Sequence, residues 1–178
     1  MSTAPAPSVT PEFAVGLCNV YLGQLRNEVA TTSKVLKAVP EDASKQSYKP
    51  DPKAKSAREL AWHIAGSDVH FLENIAACAF DFSEEGRTLN QSGVKTIAEL
   101  AAWYEREMNR GLDAIAALPA HKLSTPVPFF HFNFPNVMYL MFATNHSVHH
   151  RGQLSTYLRP MGSKIPSIYG GSADEPMS

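Results

Sequence analysis

Apolar residues recur at three- and four-residue steps through four long stretches of the chain, the spacing of amphipathic helices. The first opens at Thr10-Pro11, an N-cap candidate followed by proline at the first helical position. Its inward positions read as Phe13, Leu17, Val20, Tyr21, Gln24, Leu25, Val29, Leu36 and Val39, and Pro40 ends it. The second opens on Ser56-Ala57-Arg58-Glu59, a capping box in which the hydroxyl and the carboxylate each satisfy an orphan backbone N–H. Leu60, His63, Ile64, Ser67, Phe71 and Ile75 share one of its faces, and the pattern fades near Ala79. The third opens on another capping box, Thr96-Ile97-Ala98-Glu99. It carries Ile97, Leu100, Ala101, Tyr104, Met108, Leu112 and Ile115 before Pro119. The fourth starts near Pro135 and runs to about Arg159, with Gly162 as the breaker beyond it.

No stretch shows strand alternation. Four amphipathic helices in 178 residues predict an all-α fold, a four-helix bundle in a single domain. The connections are long for a bundle, so helix directions stay open at this level. Residues 1–9, rich in Pro, Ala and Ser, read as a flexible leader, and 10–178 as the bundle domain. The third connection holds Pro126, Pro128, Phe129, Phe130, His131 and Phe132. So aromatic a loop is expected to fold over something. The tail from residue 165 is expected on the surface, anchored by Ile165, Ile168 and Tyr169.

Composition narrows the classes. Hydrophobic residues are 44% and charged residues 19%, the balance of a globular protein. A formal net charge of −1 offers no basic excess for phosphates and argues against a nucleic-acid partner. The N-terminus has no basic and apolar signal regions, and the densest apolar run, residues 137–143, is far short of the roughly 20 residues a membrane helix needs. The expected address is cytoplasmic. Cys18 and Cys78 make no disulfide framework and read as small mid-helix core residues.

The candidate chemistry lies in seven histidines. His146 and His150 are one turn apart on the fourth helix, within about 40° of each other, on a stripe shared with Tyr139, Phe142, Gln153 and Tyr157. Two imidazoles on an apolar face need partners for their ring nitrogens. They can hydrogen-bond to each other and to water, or share a metal. His63, on the inward face of the second helix, completes a three-His set. Three imidazoles suit Zn²⁺, Ni²⁺ or Fe²⁺, as well as Cu²⁺, and leave a coordination position open. His149, on the edge of the stripe, reads as a hydrogen-bonding neighbour. His70 lies two turns past His63 and about 20° off it, so it could approach the site as a supporting or substrate-facing group, about 10 Å further along the axis. His131 is either a lid residue or exposed, and His121 is solvated. Gln153 is placed to hydrogen-bond a bound water or substrate. Arg151 points about 140° from His146 and reads as a structural ion pair or a contact between copies. Gly152 is expected to admit a close helix or backbone.

The run Asn145-His146-Ser147-Val148-His149-His150-Arg151-Gly152-Gln153-Leu154, then Tyr157-Leu158-Arg159, Gly162 and Pro166, resembles the fourth-helix signature of the DinB/YfiT-like superfamily. Glu59-Leu60-Ala61-Trp62-His63-Ile64-Ala65 is similar to the family's second-helix element, and the two in that order span nearly the whole chain. The resemblance implies a four-helix bundle holding a divalent metal on His63, His146 and His150. It also implies homodimers, and kinship with thiol-dependent enzymes such as mycothiol-dependent maleylpyruvate isomerase and bacillithiol S-transferases.

The leading functional expectation is therefore a metal-dependent transferase or isomerase using a low-molecular-weight thiol on a small-molecule substrate, with the aromatic loop over residues 129–134 excluding water. Metal-assisted hydrolysis uses the same ligands but needs a base, for which only His149 or His70 offers itself. A non-enzymatic metal- or ligand-binding stress protein is the third reading.

Overall fold

The computed structural model describes residues 8–81, 83 and 86–177. Four long helices dominate: α1 (Pro11–Lys37), α3 (Ala57–Ala77), α5 (Ile97–Ala116) and α7 (Tyr139–Leu158). Short helices α2 (Ala43–Gln46), α4 (Arg87–Gln91) and α6 (Ala120–Ser124) interrupt the connections, and strands β1 (Pro126–Phe129) and β2 (Phe132–Pro135) form a hairpin. Of the expected leader, residues 1–7 lie outside the described residues, and Val9 already packs on the core.

The helix starts follow from their caps. Thr10 Oγ1 accepts the Phe13 N–H at 3.2 Å. Both capping boxes close: Ser56 Oγ accepts from Glu59 N–H while Glu59 Oε2 accepts from Ser56 N–H at 2.6 Å, and Thr96 with Glu99 repeats the exchange. Helices α1 and α3 each pack against both α5 and α7, which sets α3 beside α7 and brings His63 opposite His146 and His150. Leu25, Leu36, Ile64, Leu72, Leu100, Met108, Leu112 and Leu140 are fully buried between them. Each such side chain contributes about 1.5–3 kcal/mol of transfer free energy. Helices α3 and α5 approach closely at Gly111 on α5, where an added Cβ would lie 2.8 Å from Leu72 Cβ on α3.

Several expectations are corrected. The four-helix bundle is as expected, and its third connection adds an antiparallel hairpin where no strand was expected, paired Pro126 with Pro135 through Phe129 with Phe132. Val127 and Phe129 do alternate inward, but the intervening prolines, which cannot donate to a ladder, mask the signal. The Tyr139 hydroxyl holds the hairpin, donating to Val127 O at 2.6 Å and accepting from Phe134 N–H at 3.1 Å. Helix α7 begins at Tyr139, after a 3-10 turn at Asn136–Met138, rather than near Pro135. On α1, Phe13 and Val20 are exposed, because Ala14, Cys18, Leu25 and Val29 form the inward stripe. Gly152 admits nothing, since no atom lies within 4 Å of the Cβ it lacks. Cys78 is not mid-helix: it caps α3 in the left-handed region at φ 56°, with Asn136 Nδ2 directed at its Sγ.

Arg151 is a structural ion pair. It is 1% exposed and donates to Glu28 Oε2 at 2.6 Å, to Thr32 Oγ1 at 3.2 Å and to the Tyr169 hydroxyl. That last contact, with packing from Ile165 and Ile168, anchors the tail as expected. No helix among the described residues is long and apolar enough to cross a membrane.

Candidate metal centre

His63 comes from the second turn of α3, and His146 and His150 come from successive turns of α7. The three half-buried rings meet edge to face, with centroids 5.3 Å apart for His63–His146, 4.6 Å for His63–His150 and 4.5 Å for His146–His150. One ring nitrogen from each lies within 4.8 Å of the others. Among the described residues this is the group of His, Cys, Asp or Glu side chains so arranged.

The second nitrogen of each ring explains the orientation. His146 Nδ1 bonds Asp68 Oδ1 at 2.8 Å, His150 Nδ1 bonds Gln153 Oε1 at 2.8 Å, and His63 Nδ1 bonds Ser67 Oγ at 3.0 Å. A carboxylate and an amide oxygen are acceptors only, so His146 and His150 carry their protons on Nδ1. Their Nε2 lone pairs are left pointing at the shared space. His63 Nε2 and His150 Nε2 are 3.2 Å apart. Two nitrogens on one tetrahedral zinc, with bonds of 2.0–2.1 Å, sit about 3.3 Å apart. The donor set therefore fits a divalent cation by spacing and by ligand type, and by tautomer at His146 and His150.

Asp68 was not foreseen. It is 1% exposed, and its other oxygen accepts from the buried Tyr104 hydroxyl at 3.0 Å. Burial first, and then the Asp68 charge, pushes the Tyr104 phenol well above its ordinary 10.0, so it remains a donor. A buried carboxylate fixing the tautomer and raising the basicity of a ligating imidazole is the usual outer support of a metal site. Its sequence signal was a single acid within the otherwise uncharged run Leu60-Ala61-Trp62-His63-Ile64-Ala65-Gly66-Ser67-Asp68-Val69. Burial holds His150 below its ordinary 6.5, with the Gln153 bond opposing and the other imidazoles adding, so it stays neutral and able to ligate.

The remaining candidates divide. Gln153 is exposed and serves His150 rather than facing the core. His149 is exposed with its ring centroid 4.8 Å from that of His150. His70 is not at the site, because it is buried and its Nε2 bonds Asp81 O at 2.8 Å. His131 lies exposed against Phe132, in the hairpin turn. Phe129 packs on Phe71 at 6.0 Å, and Phe71 packs on His146 at 5.6 Å, so the aromatic cluster walls one side of the site.

Two clefts open on the centre. One, about 340 Å³, holds His63 with Trp62, Ser67, Leu89 and Asn90; the other, about 410 Å³, holds His150 with Leu60, Gln153 and Tyr157. The arrangement is a helical bundle with an accessible three-imidazole cluster backed by a buried carboxylate.

Comparison with known proteins gives that class its family. The DinB family pattern matches residues 17–177, and the chain belongs to the DinB family. A Bacillus subtilis (strain 168) protein described as "Uncharacterized protein YrdA" is 26% identical over 157 residues, covering 87% of this chain and 89% of that one. The crystal structure of a DinB-like protein from Bacillus cereus ATCC 10987 superposes with a TM-score of 0.67 at 24% identity, over 84% of this chain and 95% of that one. A DinB-like protein from Bacillus subtilis, YjoA, gives 0.62 at 20% identity, over 82% and 95%. These structures support the helical-bundle fold.

Proposed function

We propose that this DinB protein is a divalent-metal-dependent enzyme that transfers a low-molecular-weight thiol to an electrophilic small molecule, as a transferase or, where the thiol is later released, an isomerase. One observation carries the reading: one ring nitrogen from each of three histidines lies within 4.8 Å of the others, while each Nδ1 has its own separate partner, beside open clefts. His63, His146 and His150 would hold the ion, either Zn²⁺, Ni²⁺ or Fe²⁺ by ligand type. Such an ion, with no anionic ligand to quench its charge, keeps a thiol sulfur ionised near neutral pH. Asp68 and Gln153 keep two of the rings in register. Trp62 and Leu89 on one side, and Leu60 and Tyr157 on the other, offer apolar walls to the reacting partner. In a transferase the thiol proton leaves to solvent, the sulfur bonds the electrophilic carbon, and the displaced group departs with its electron pair; in an isomerase the sulfur adds to a carbon–carbon double bond, the neighbouring carbon takes a proton, and elimination of thiol and proton after rotation restores the double bond.

Hydrolysis would draw on the same ligands, but His70 is committed to Asp81, which leaves it only His149 as a base. The cytoplasm, where thiols are kept reduced, suits both the reading and the free Cys18 and Cys78. A homodimer is proposed through α1, where Phe13 and Val20 expose 59% and 67% of their surface on one side of the helix; sedimentation of the purified chain tests it. The function itself is tested by loading the protein with Zn²⁺, Ni²⁺ or Fe²⁺ and offering a chromogenic electrophile with bacillithiol, mycothiol, glutathione or cysteine. Turnover that requires both metal and thiol supports it. Turnover without thiol favours hydrolysis, and none with any pair overturns it.

A further inference from the structure

Lys55 stands where the two clefts meet. It lines the cleft that holds His63 and also the cleft that holds His150. Its backbone is pinned: Lys55 O accepts from the Tyr157 hydroxyl at 3.3 Å, and Ala57 N–H donates to Tyr48 O at 3.0 Å across the same turn. Its side chain is exposed, and no ion pair holds it among the described residues. Two neighbouring cations are already engaged. Lys49 pairs with Glu59 at 3.4 Å, and Arg58 lies over the Trp62 ring at 3.8 Å while donating to Lys95 O. No carboxylate appears among the described residues lining either cleft.

We propose that Lys55 selects a thiol or co-substrate bearing a carboxylate, receiving that anion while the reacting end of the molecule lies at the three histidines. The proposal rests on the metal–thiol reading above and names its substrate class. An ammonium with three donors on a flexible stem suits one monovalent oxyanion. A phosphate site would gather an Arg fork, and no Arg lines either cleft among the described residues. Apolar walls from Trp62, Leu89, Leu60 and Tyr157 separate the two charged ends and fit a short carbon linker.

The test uses the full chain loaded with Co²⁺, whose thiolate absorption band reports sulfur binding directly. The probes are 3-mercaptopropionate and its uncharged amide, equal in length and shape. The carboxylate thiol is expected to bind at least about threefold more tightly, the scale of one exposed ion pair. Raising the salt should narrow that gap. Lys55→Gln should bring the carboxylate thiol down to the affinity of the amide, and Lys55→Arg should keep the preference. Equal affinities in the native protein, or an unchanged preference in Lys55→Gln, overturn the role of Lys55 alone. The absence of a thiolate band with either probe overturns the metal–thiol reading, and the proposal for Lys55 falls with it.

Discussion

Asp68 and His146 are joined through Nδ1 at 2.8 Å, from a carboxylate that is 1% exposed to a ring that is 18% exposed. The bond crosses from α3 to α7, so the packing of the two helices and the aim of the imidazole are one and the same constraint. Asp68→Asn should keep the fold and lose the fixed tautomer. Metal affinity is expected to fall by about 10–100-fold. Competition with a chromogenic chelator measures it, and an unchanged affinity would remove Asp68 from the site. Tyr104→Phe, one bond further out, should fall less.

The same neighbourhood shows how much was legible beforehand. Helix-period spacing marked the four long helices and the three histidines, because stacking on one helix face is a local property of sequence. Asp68 was not legible: it lies about 140° around α3 from His63, and only the packing of α5 and α7 brings Tyr104 and His146 to its two oxygens. The hairpin was hidden for a different reason, since Pro126 and Pro128 read as loop residues until a partner strand takes up their neighbours. Phe13 and Val20 misled because α1 carries more apolar residues than its inward stripe can use, and periodicity alone does not choose between two such stripes.

Acid should release the metal and loosen the fold together. Burial holds folded His150 below its ordinary 6.5, so the unfolded chain binds the proton more readily. The stability gained by keeping this ring neutral is therefore present above pH 6.5 and lost as pH falls from there through the folded value. Protons compete with the metal for the same Nε2 lone pairs, so occupancy should drop in the same window. Metal content and thermal midpoint measured between pH 8 and pH 5 check it. Flat profiles would contradict it.

Glu28 and Arg151 form a buried pair at 2.6 Å that ties α1 to α7, with the Tyr169 hydroxyl donating to the same carboxylate oxygen at 2.8 Å. Glu28→Ala would leave the guanidinium buried without its counter-charge. A loss of about 3–5 kcal/mol is expected in denaturant unfolding. A loss below 1 kcal/mol would mean that the pair is open to water.

Gly111→Ala gains about 1 kcal/mol of helix propensity but drives its methyl to 2.8 Å from Leu72 Cβ. Overpacking between α3 and α5 should outweigh that gain, with a net loss of about 1–2 kcal/mol. Gly152→Ala, with open space around it, should stabilise instead. The pair of variants measured together by thermal unfolding separates packing from propensity, and equal shifts would refute the distinction.

The central claim is that His63, His146 and His150 bind one divalent ion together. Elemental analysis of the purified chain after metal loading and gel filtration, beside the His63→Ala/His146→Ala/His150→Ala variant, tests it most directly. About one Zn²⁺, Ni²⁺ or Fe²⁺ per native chain and none in the folded variant is the expected result. No retained metal in the native chain, or equal metal in both, would contradict it.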